Sequence, residues 1–214
     1  MGKEEERNKE VPREIETKIP ISDLPSVRER ILAKGGKYRE EGEGVFFQRN
    51  TFLDCPDKRL SASDQLLRVR EVREGGGEGR LVEATLTWKG KREEGEGVFK
   101  IREEVEVEIT DPQEAIQLLE RLEFTLVVEV FEKEIEHLEL DGVKIDLNKV
   151  PFLGSFVELE GPKEKIMMVV KKLGLNWADA TSQRYEELLQ EKFGDVPLRD
   201  FTFRAEKERS SANS

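Results

Sequence analysis

Apolar and polar residues alternate with a period of two over much of this chain, and four stretches break the alternation with a helical period. The helical stretches are 23–34, 111–123, 162–173 and 179–193. The first is capped by Ser22 or Asp23 and stopped by Gly35-Gly36. The second opens on Asp111-Pro112, a cap and first-turn pair, and repeats apolar residues at Ala115, Ile116, Leu118, Leu119 and Leu122. The third runs from Gly161-Pro162 to Gly174, and the fourth carries Tyr185, Leu188, Leu189 and Phe193. The rest of the pattern predicts eight strands, at 13–19, 45–53, 66–73, 81–89, 98–109, 126–138, 141–148 and 155–160. Asp141-Gly142 is a hairpin turn. The run Gly75-Gly76-Gly77 with Gly79 reads as a hairpin loop rather than a phosphate cradle, because no helix follows it.

Successive strand residues point to opposite faces, so each strand declares two surfaces. In 98–109, Lys100, Arg102, Glu104, Glu106 and Glu108 share one face, and Phe99, Ile101, Val105, Val107 and Ile109 share the other, broken by Glu103. The same division puts Glu14, Glu16 and Lys18 against Ile15 and Ile19, and Arg68 and Arg70 against Leu67 and Val69. It puts Thr85, Thr87 and Lys89 against Leu86 and Trp88, Lys144, Asp146 and Asn148 against Val143, Ile145 and Leu147, and Glu158 and Glu160 against Val157 and Leu159. One such strand describes a half-exposed sheet. Six of them, with helices that need apolar surface to rest on, predict a sheet that curls toward closure and turns its charged faces inward. A lumen of that kind is either a web of mutual salt bridges or a water-filled tunnel for a charged ligand, because burying unpaired ions costs several kcal/mol each. Glu-x-Glu pairs suit a hard cation such as Mg2+ or Mn2+, and clustered Lys and Arg suit phosphate oxygens.

Composition narrows the chemistry. The chain has 214 residues, 39% of them charged, with 47 acidic and 36 basic residues for a net charge of −11. This balance argues against a nucleic-acid-coating protein. No apolar run approaches a membrane span, and the charged start lacks a secretion signal, so a cytoplasmic protein is expected. Residues 1–12 read as a flexible arm, 13–193 as one domain, and 194–214 as a tail, polar and disordered from about Arg204. A single histidine, His137, and a single cysteine, Cys55, exclude zincin motifs and cysteine zinc sites, and no GxSxG or GxxxxGK[ST] motif occurs. His137 is read as a surface strand residue, Cys55 as inert, and Trp88, Phe46, Phe47 and Tyr185 as packing residues. Catalysis would run on carboxylates, Lys, Arg, Tyr or a hard metal ion.

Glu14-Ile15-Glu16-Thr17-Lys18 resembles the ExExK signature of the CYTH family, the triphosphate tunnel metalloenzymes. Further matching pieces follow in order: Leu67-Arg68-Val69-Arg70, Leu86-Thr87-Trp88-Lys89-Gly90, the segment from Lys100 to Glu106, and Phe156-Val157-Glu158-Leu159-Glu160. The segment from Asn50 to Asp54 and the run Tyr185-Glu186-Glu187-Leu188-Leu189 are similar to the branch of class IV adenylyl cyclases, alongside thiamine triphosphatases. The resemblance implies an α+β fold built on a closed antiparallel eight-stranded β-barrel, a tunnel with a charged lumen and helices packed outside. It implies that Glu14, Glu16, Glu158 and Glu160 hold Mg2+ or Mn2+, with Glu104 and Glu106 extending the acidic side. Lys18, Arg68, Arg70, Lys89, Arg102 and Lys133 would bind the triphosphate, and Lys100 shares their face. Glu14, Glu16, Lys18 and Lys89 would carry catalysis.

Two positions depart from the family pattern. Ile135 stands where the family has the arginine of a K-x-R pair begun by Lys133, and Asn148 stands where it often has Asp. A lost charged contact costs about 1.5–3 kcal/mol, roughly ten- to a hundred-fold in affinity. Ile135→Arg is therefore expected to raise affinity or turnover. Three readings stay open. One is a metal-dependent enzyme, either an adenylyl cyclase or a triphosphate phosphohydrolase. The second is a catalytically weak triphosphate- or polyphosphate-binding module. The third is an interaction domain whose charged lumen is only a salt-bridge web. The partner is a small-molecule triphosphate, with no nucleic acid, no membrane and a possible homodimer.

Overall fold

The computed structural model describes residues 13–39, 43–93, 97–194 and 202–212. The arm at 1–12, part of the acidic loop at 94–96 and part of the tail lie outside the described residues. The strands are β1 (Arg13–Ile21), β2 (Lys37–Tyr38), β3 (Phe46–Asp54), β4 (Leu66–Glu74), β5 (Arg80–Lys89), β6 (Lys100–Glu108), β7 (Leu126–Leu140), β8 (Val143–Val150) and β9 (Gly154–Glu160). The helices are α1 (Leu24–Ala33), α2 (Arg59–Ala62), α3 (Pro112–Arg121), α4 (Lys163–Lys172), α5 (Tyr185–Phe193) and α6 (Phe203–Ala212).

All pairings are antiparallel, and the order β7-β3-β4-β5-β6-β1-β9-β8 returns to β7, closing an eight-stranded barrel. β2 is the addition, lying on β7 with Lys37 opposite Glu139 and Tyr38 opposite Leu138. Closure leaves the barrel strands without a free edge to protect. The Asp141-Gly142 turn joins β7 to β8 with both residues at positive φ, 53° and 75°, as a two-residue hairpin of matching twist demands.

The apolar strand faces point outward, as the helices require. α1 and α4 bury Val27, Ile31, Ile166, Val169 and Val170 against Leu138, Ile145, Leu147, Val157 and Leu159. Each such side chain contributes about 1.5–3 kcal/mol of transfer free energy. α3 lays Leu119 on Leu53, Leu67 and Val69, with Trp88 and Leu86 at the margin. α5 brings Tyr185 and Leu189 against Phe131, Val150 and Phe156 at the end of the barrel where β7 and β9 begin. Asp54 fixes the short α2 turn by accepting hydrogen bonds from the amides of Cys55, Leu60 and Ser61 and from the Ser61 hydroxyl.

The structure differs from the sequence pattern in several places. Among the described residues no helix covers the apolar side of β6 at Val105 and Val107, which are 46% and 51% exposed. α5 begins at Tyr185 rather than 179, because 177–179 form a 3-10 turn and Thr181 bridges to Lys18. The polar tail is not disordered from Arg204: α6 occupies Phe203–Ala212. It is anchored by bonds that its composition does not reveal, the Phe203 amide to Glu132 at 3.2 Å and the Phe152 amide to Glu206 at 2.6 Å. Among the described residues no helix is long and apolar enough to cross a membrane.

Candidate active site

The charged strand faces meet inside the barrel around a cavity of about 520 Å3. β1 contributes Glu14, Glu16 and Lys18; β4 Arg68 and Arg70; β5 Lys89; β6 Lys100, Glu104 and Glu106; β7 Lys133; β9 Glu158 and Glu160. These positions recur at every second residue of their strands, so the same alternation that buries apolar side chains under the helices turns these inward. Acidic and basic residues are nearly equal in number around the cavity, which leaves its charge close to balanced.

Most of the acids are tied to cations. Lys89 Nζ lies 2.5 Å from Glu14 and 3.2 Å from Glu104. Lys100 pairs with Glu16. Lys133 reaches Glu158 at 3.1 Å. Lys18 donates to the Gln183 carbonyl at 2.9 Å and stands 3.6 Å from Glu158 and 3.8 Å from Glu16. Arg68 lies at 3.9 Å from Glu104 and 3.8 Å from Glu106, and Arg70 donates to Asn50 at 3.2 Å. Thr87 donates to Glu106 at 2.6 Å. Glu160 sits at the margin, 40% exposed, with Lys144 at 2.9 Å.

The electrostatics separate neighbouring carboxyls. Burial, with the charges of Glu16 and Glu104 beside it, pushes Glu14 up to about 7 despite Lys89 and Lys100. Burial acts upward on Glu16 too, but the ammonium groups of Lys100, Lys18 and Lys89 outweigh it and hold Glu16 well below the usual range. Burial lowers Lys133 even though Glu158 works against it. Arg68 is lowered to about 10 by burial and by neighbouring Arg70. Tyr185 is raised well above the ordinary phenol value by burial and by the charges of Glu158 and Glu16.

Several residues are not where the sequence reading puts them. Arg102 is on the lumen face of β6 by alternation but is not part of the cavity wall. It is fully buried, with Nη2 on Asp64 Oδ1 at 2.9 Å and Nη1 on the carbonyls of Asp64 and Gly90 at 3.1 and 3.0 Å. His137 is not a surface residue: it is 7% exposed, lines the cavity and lies 2.8 Å from Asp146. It faces inward because it is two and four residues beyond Ile135 and Lys133, on the same side of β7. Tyr185 packs as expected against Phe131 and Phe156, but its ring also lies beneath Lys18 and Lys133, at 5.2 and 5.9 Å. Its hydroxyl is buried against Glu158. Arg39 and Asp146 line the cavity as well, and neither was singled out as a ligand-binding residue. Alternation along 143–148 was enough to place Asp146; nothing local signals Arg39.

The two departures also find a place. Ile135 packs with Phe46 and Val72 in a small apolar cluster. Asn148 is fully buried and donates to Glu158 at 2.8 Å, an attachment that an ionised Asp would replace with repulsion.

Hard-cation binding is consistent with the donor chemistry, since Glu14, Glu16, Glu104 and Glu158 are inward-facing carboxylates and Glu14 is raised by burial and by the charge of Glu16. Among the described residues no three metal-ligating side chains converge on one point. A cation would therefore draw carboxylates away from Lys89 and Lys100, whose ammonium groups would then face a bound anion.

The comparisons with known proteins agree with the barrel fold. The model of the CYTH domain matches residues 12–176. A protein of Methanocaldococcus jannaschii named "putative adenylate cyclase" is 27% identical over 185 residues, 82% of this chain and 97% of that protein. The solved structure of PH1012 from Pyrococcus horikoshii superposes with a TM-score of 0.64 at 28% identity, over 82% of this chain and 98% of that one. A Hippeastrum protein named "putative adenylyl cyclase" and described as having a dominant triphosphatase activity shares the fold with a TM-score of 0.55 at 18% identity, over 87% and 98% of the two chains.

Proposed function

The chain belongs to the CYTH family, and from that premise we propose that it is a divalent-metal-dependent enzyme that cleaves a phosphoanhydride bond of a triphosphate bound in the barrel. One observation carries the reading. Lys18, Arg68, Arg70, Lys89 and Lys133 converge with Glu14, Glu16, Glu104, Glu106, Glu158 and Glu160 on one cavity of about 520 Å3, room for a guest that a closed salt-bridge web would not leave. A dication held by Glu14, Glu16, Glu158 and Glu160, with Glu104 and Glu106 nearby, would neutralise charge on the phosphate chain.

The protein's own groups do the remaining work. Arg68, Arg70 and Lys133 bind the chain's oxygens and oppose the charge that grows as the bond breaks. Tyr185 lies beneath Lys18 and Lys133 and holds their ammonium groups over its ring. A carboxylate of this wall that does not hold the dication would take the proton of an attacking water. The water oxygen forms a bond to the terminal phosphorus, the bridging oxygen leaves with the diphosphate, and the proton goes to the carboxylate. If a ribose 3′-hydroxyl attacks the α-phosphorus instead, the products are cyclic AMP and diphosphate. Hydrolysis is the preferred reading, because it asks of the cavity only what the charged lining supplies. Ile135 and Asn148 favour a second reading, a binding module with weak turnover.

The test offers ATP, thiamine triphosphate and tripolyphosphate separately, with Mg2+ or Mn2+, and measures phosphate and cyclic AMP. Phosphate without cyclic AMP, lost in Glu16→Ala, is the expected result. Cyclic AMP from ATP would replace hydrolysis with cyclisation. Thermal stabilisation by these ligands without any product would leave the binding module. No product and no stabilisation would refute the proposal.

A further inference from the structure

His137 is a buried titratable group that the proposed reaction leaves without a task, and its setting is specific. It is 7% exposed and lines the cavity from β7. On the facing rung of β8 stands Asp146, whose Oδ1 lies 2.8 Å from His137 Nδ1. Burial acts to raise Asp146, but its bond to His137 and the charges of His137 and Arg39 hold it at about 2, so it stands as a carboxylate. A carboxylate only accepts, so the ring proton shared with it sits on Nδ1. Arg39 Nη2 donates to the same oxygen at 2.9 Å. The Phe46 ring packs beside the imidazole, with the two centroids 5.9 Å apart. Neighbours on β8, on β3 and just past β2 thus fix the orientation of the ring.

This arrangement has two physical readings. The imidazole fastens strands together, or it presents its second nitrogen to a guest. Fastening is achieved without it: His137 and Asp146 are opposed residues of a backbone ladder that runs from Glu134–Lys149 to Leu140–Val143. β2 is joined to β7 by a ladder of its own, extended by the Arg39 amide donating to the His137 carbonyl at 3.0 Å. Among the described residues Nε2 has no hydrogen-bond partner, and it is not one of the polar atoms shut away from solvent without one. In a buried ring that lines the cavity, the opening at Nε2 is the cavity itself. An imidazole held at Nδ1 by a carboxylate aims Nε2 in one direction. The charge of Asp146 also acts on Lys133, which sets the pair beside the basic wall.

We propose that His137 is a substrate-contacting residue, its Nε2 donating to an oxygen of an end phosphate of the bound triphosphate from a ring that Asp146 orients. In the imidazolium both ring nitrogens donate, one to Asp146 and one to the phosphate. The proposal rests on the triphosphate reading and adds the chain's one histidine to the wall that binds the phosphates.

The experiment pairs calorimetric titration of tripolyphosphate with Mg2+ against imidazole 15N NMR of the same mixture. With a single histidine in the chain, every imidazole signal belongs to His137. In wild type the Nε2 signal is expected to move on binding, and the Nδ1 signal to stay close to its free position. Two variants divide the ring's two bonds: the amide of Asn can stand in for Nδ1–H, and the longer Gln can place its amide where Nε2 lies. His137→Asn should melt near wild type and bind roughly ten-fold or more weakly, the loss of one hydrogen bond to a charged group. His137→Gln should melt lower and recover part of the affinity. Binding by wild type with an unmoved Nε2 signal would overturn the proposal and leave the triphosphate reading standing. So would a His137→Asn protein that binds within about 3-fold of wild type. If neither variant folds, the wild-type spectrum decides. Failure of the wild type to bind tripolyphosphate, ATP or thiamine triphosphate would bring down the triphosphate reading and this proposal with it.

Discussion

The resemblance implies that Arg102 binds phosphate, and the structure instead makes it a buried tie between the barrel and its α2–β4 turn. The two assignments predict opposite results for Arg102→Met and Asp64→Asn. Arg102 is fully buried, and its partners are the Asp64 carboxylate at 2.9 Å and two backbone carbonyls. Asp64 holds φ at 53°, a conformation that Asn also tolerates, so Asp64→Asn removes charge and leaves the turn intact. Breaking one side of a buried pair costs about 3–5 kcal/mol. The lower end applies to Asp64→Asn, because the carbonyls still hold Arg102 and the Asp64 side chain is 24% exposed. Arg102→Met leaves both carbonyls without this donor and should fall at the upper end. For a chain of this length a loss of 3–5 kcal/mol lowers Tm by roughly 6–20 °C. Urea unfolding of both single variants and the double variant gives the coupling, expected above about 1 kcal/mol since the groups touch. Tripolyphosphate titration is the second readout: Arg102→Met should bind within a few-fold of wild type, whereas Arg68→Met should bind far more weakly. Additive single costs, or an Arg102→Met protein that is fully stable and cannot bind, would show the reasoning to be wrong.

Other outcomes follow from the same geometry. Burial acts to raise Asp146, but His137 and Arg39 hold it at about 2, below its ordinary 3.8. A depressed folded pKa gives stability that is present above about pH 4 and is lost as pH falls toward 2, worth about 2 kcal/mol; acid unfolding of wild type should show this step, and Asp146→Asn should lack it. Ile135→Arg, attractive from the sequence, would put a cation into the cluster of Phe46 and Val72 where Ile135 is 1% exposed; a cost of about 3 kcal/mol or more in urea unfolding is expected, and a gain in triphosphate affinity at unchanged stability would contradict it. Tyr185→Phe removes a buried hydroxyl that lies against Glu158, so a loss of about 1 kcal/mol is expected in thermal melting; unchanged or higher stability would mean that the hydroxyl contributes nothing to the fold.

The sequence by itself determined the barrel wall and most of its lining. Strand periodicity is local: every second residue faces the same way, so Glu14, Glu16, Lys18, Arg68, Arg70, Lys89, Lys133 and Glu158 could be assigned to one surface before any fold was known. The four long helices were legible from their caps and apolar spacing for the same reason. Tertiary structure alone decided which inward residues remain in the chamber. Arg102 obeys the alternation, but the α2–β4 turn brings Asp64 over it and takes its fork. His137 is one rung from the Arg39 amide only because β2 pairs with β7, a contact across 98 residues. Tyr185 shares its ring with Lys18 and Lys133 because α5 closes that end of the barrel. α6 holds its place through Glu132 and Glu206, bonds that a polar composition conceals. Alternation fixes the direction of a side chain along its own strand; the partner it finds there depends on loops and helices arriving from distant parts of the chain, and no local pattern encodes their meeting.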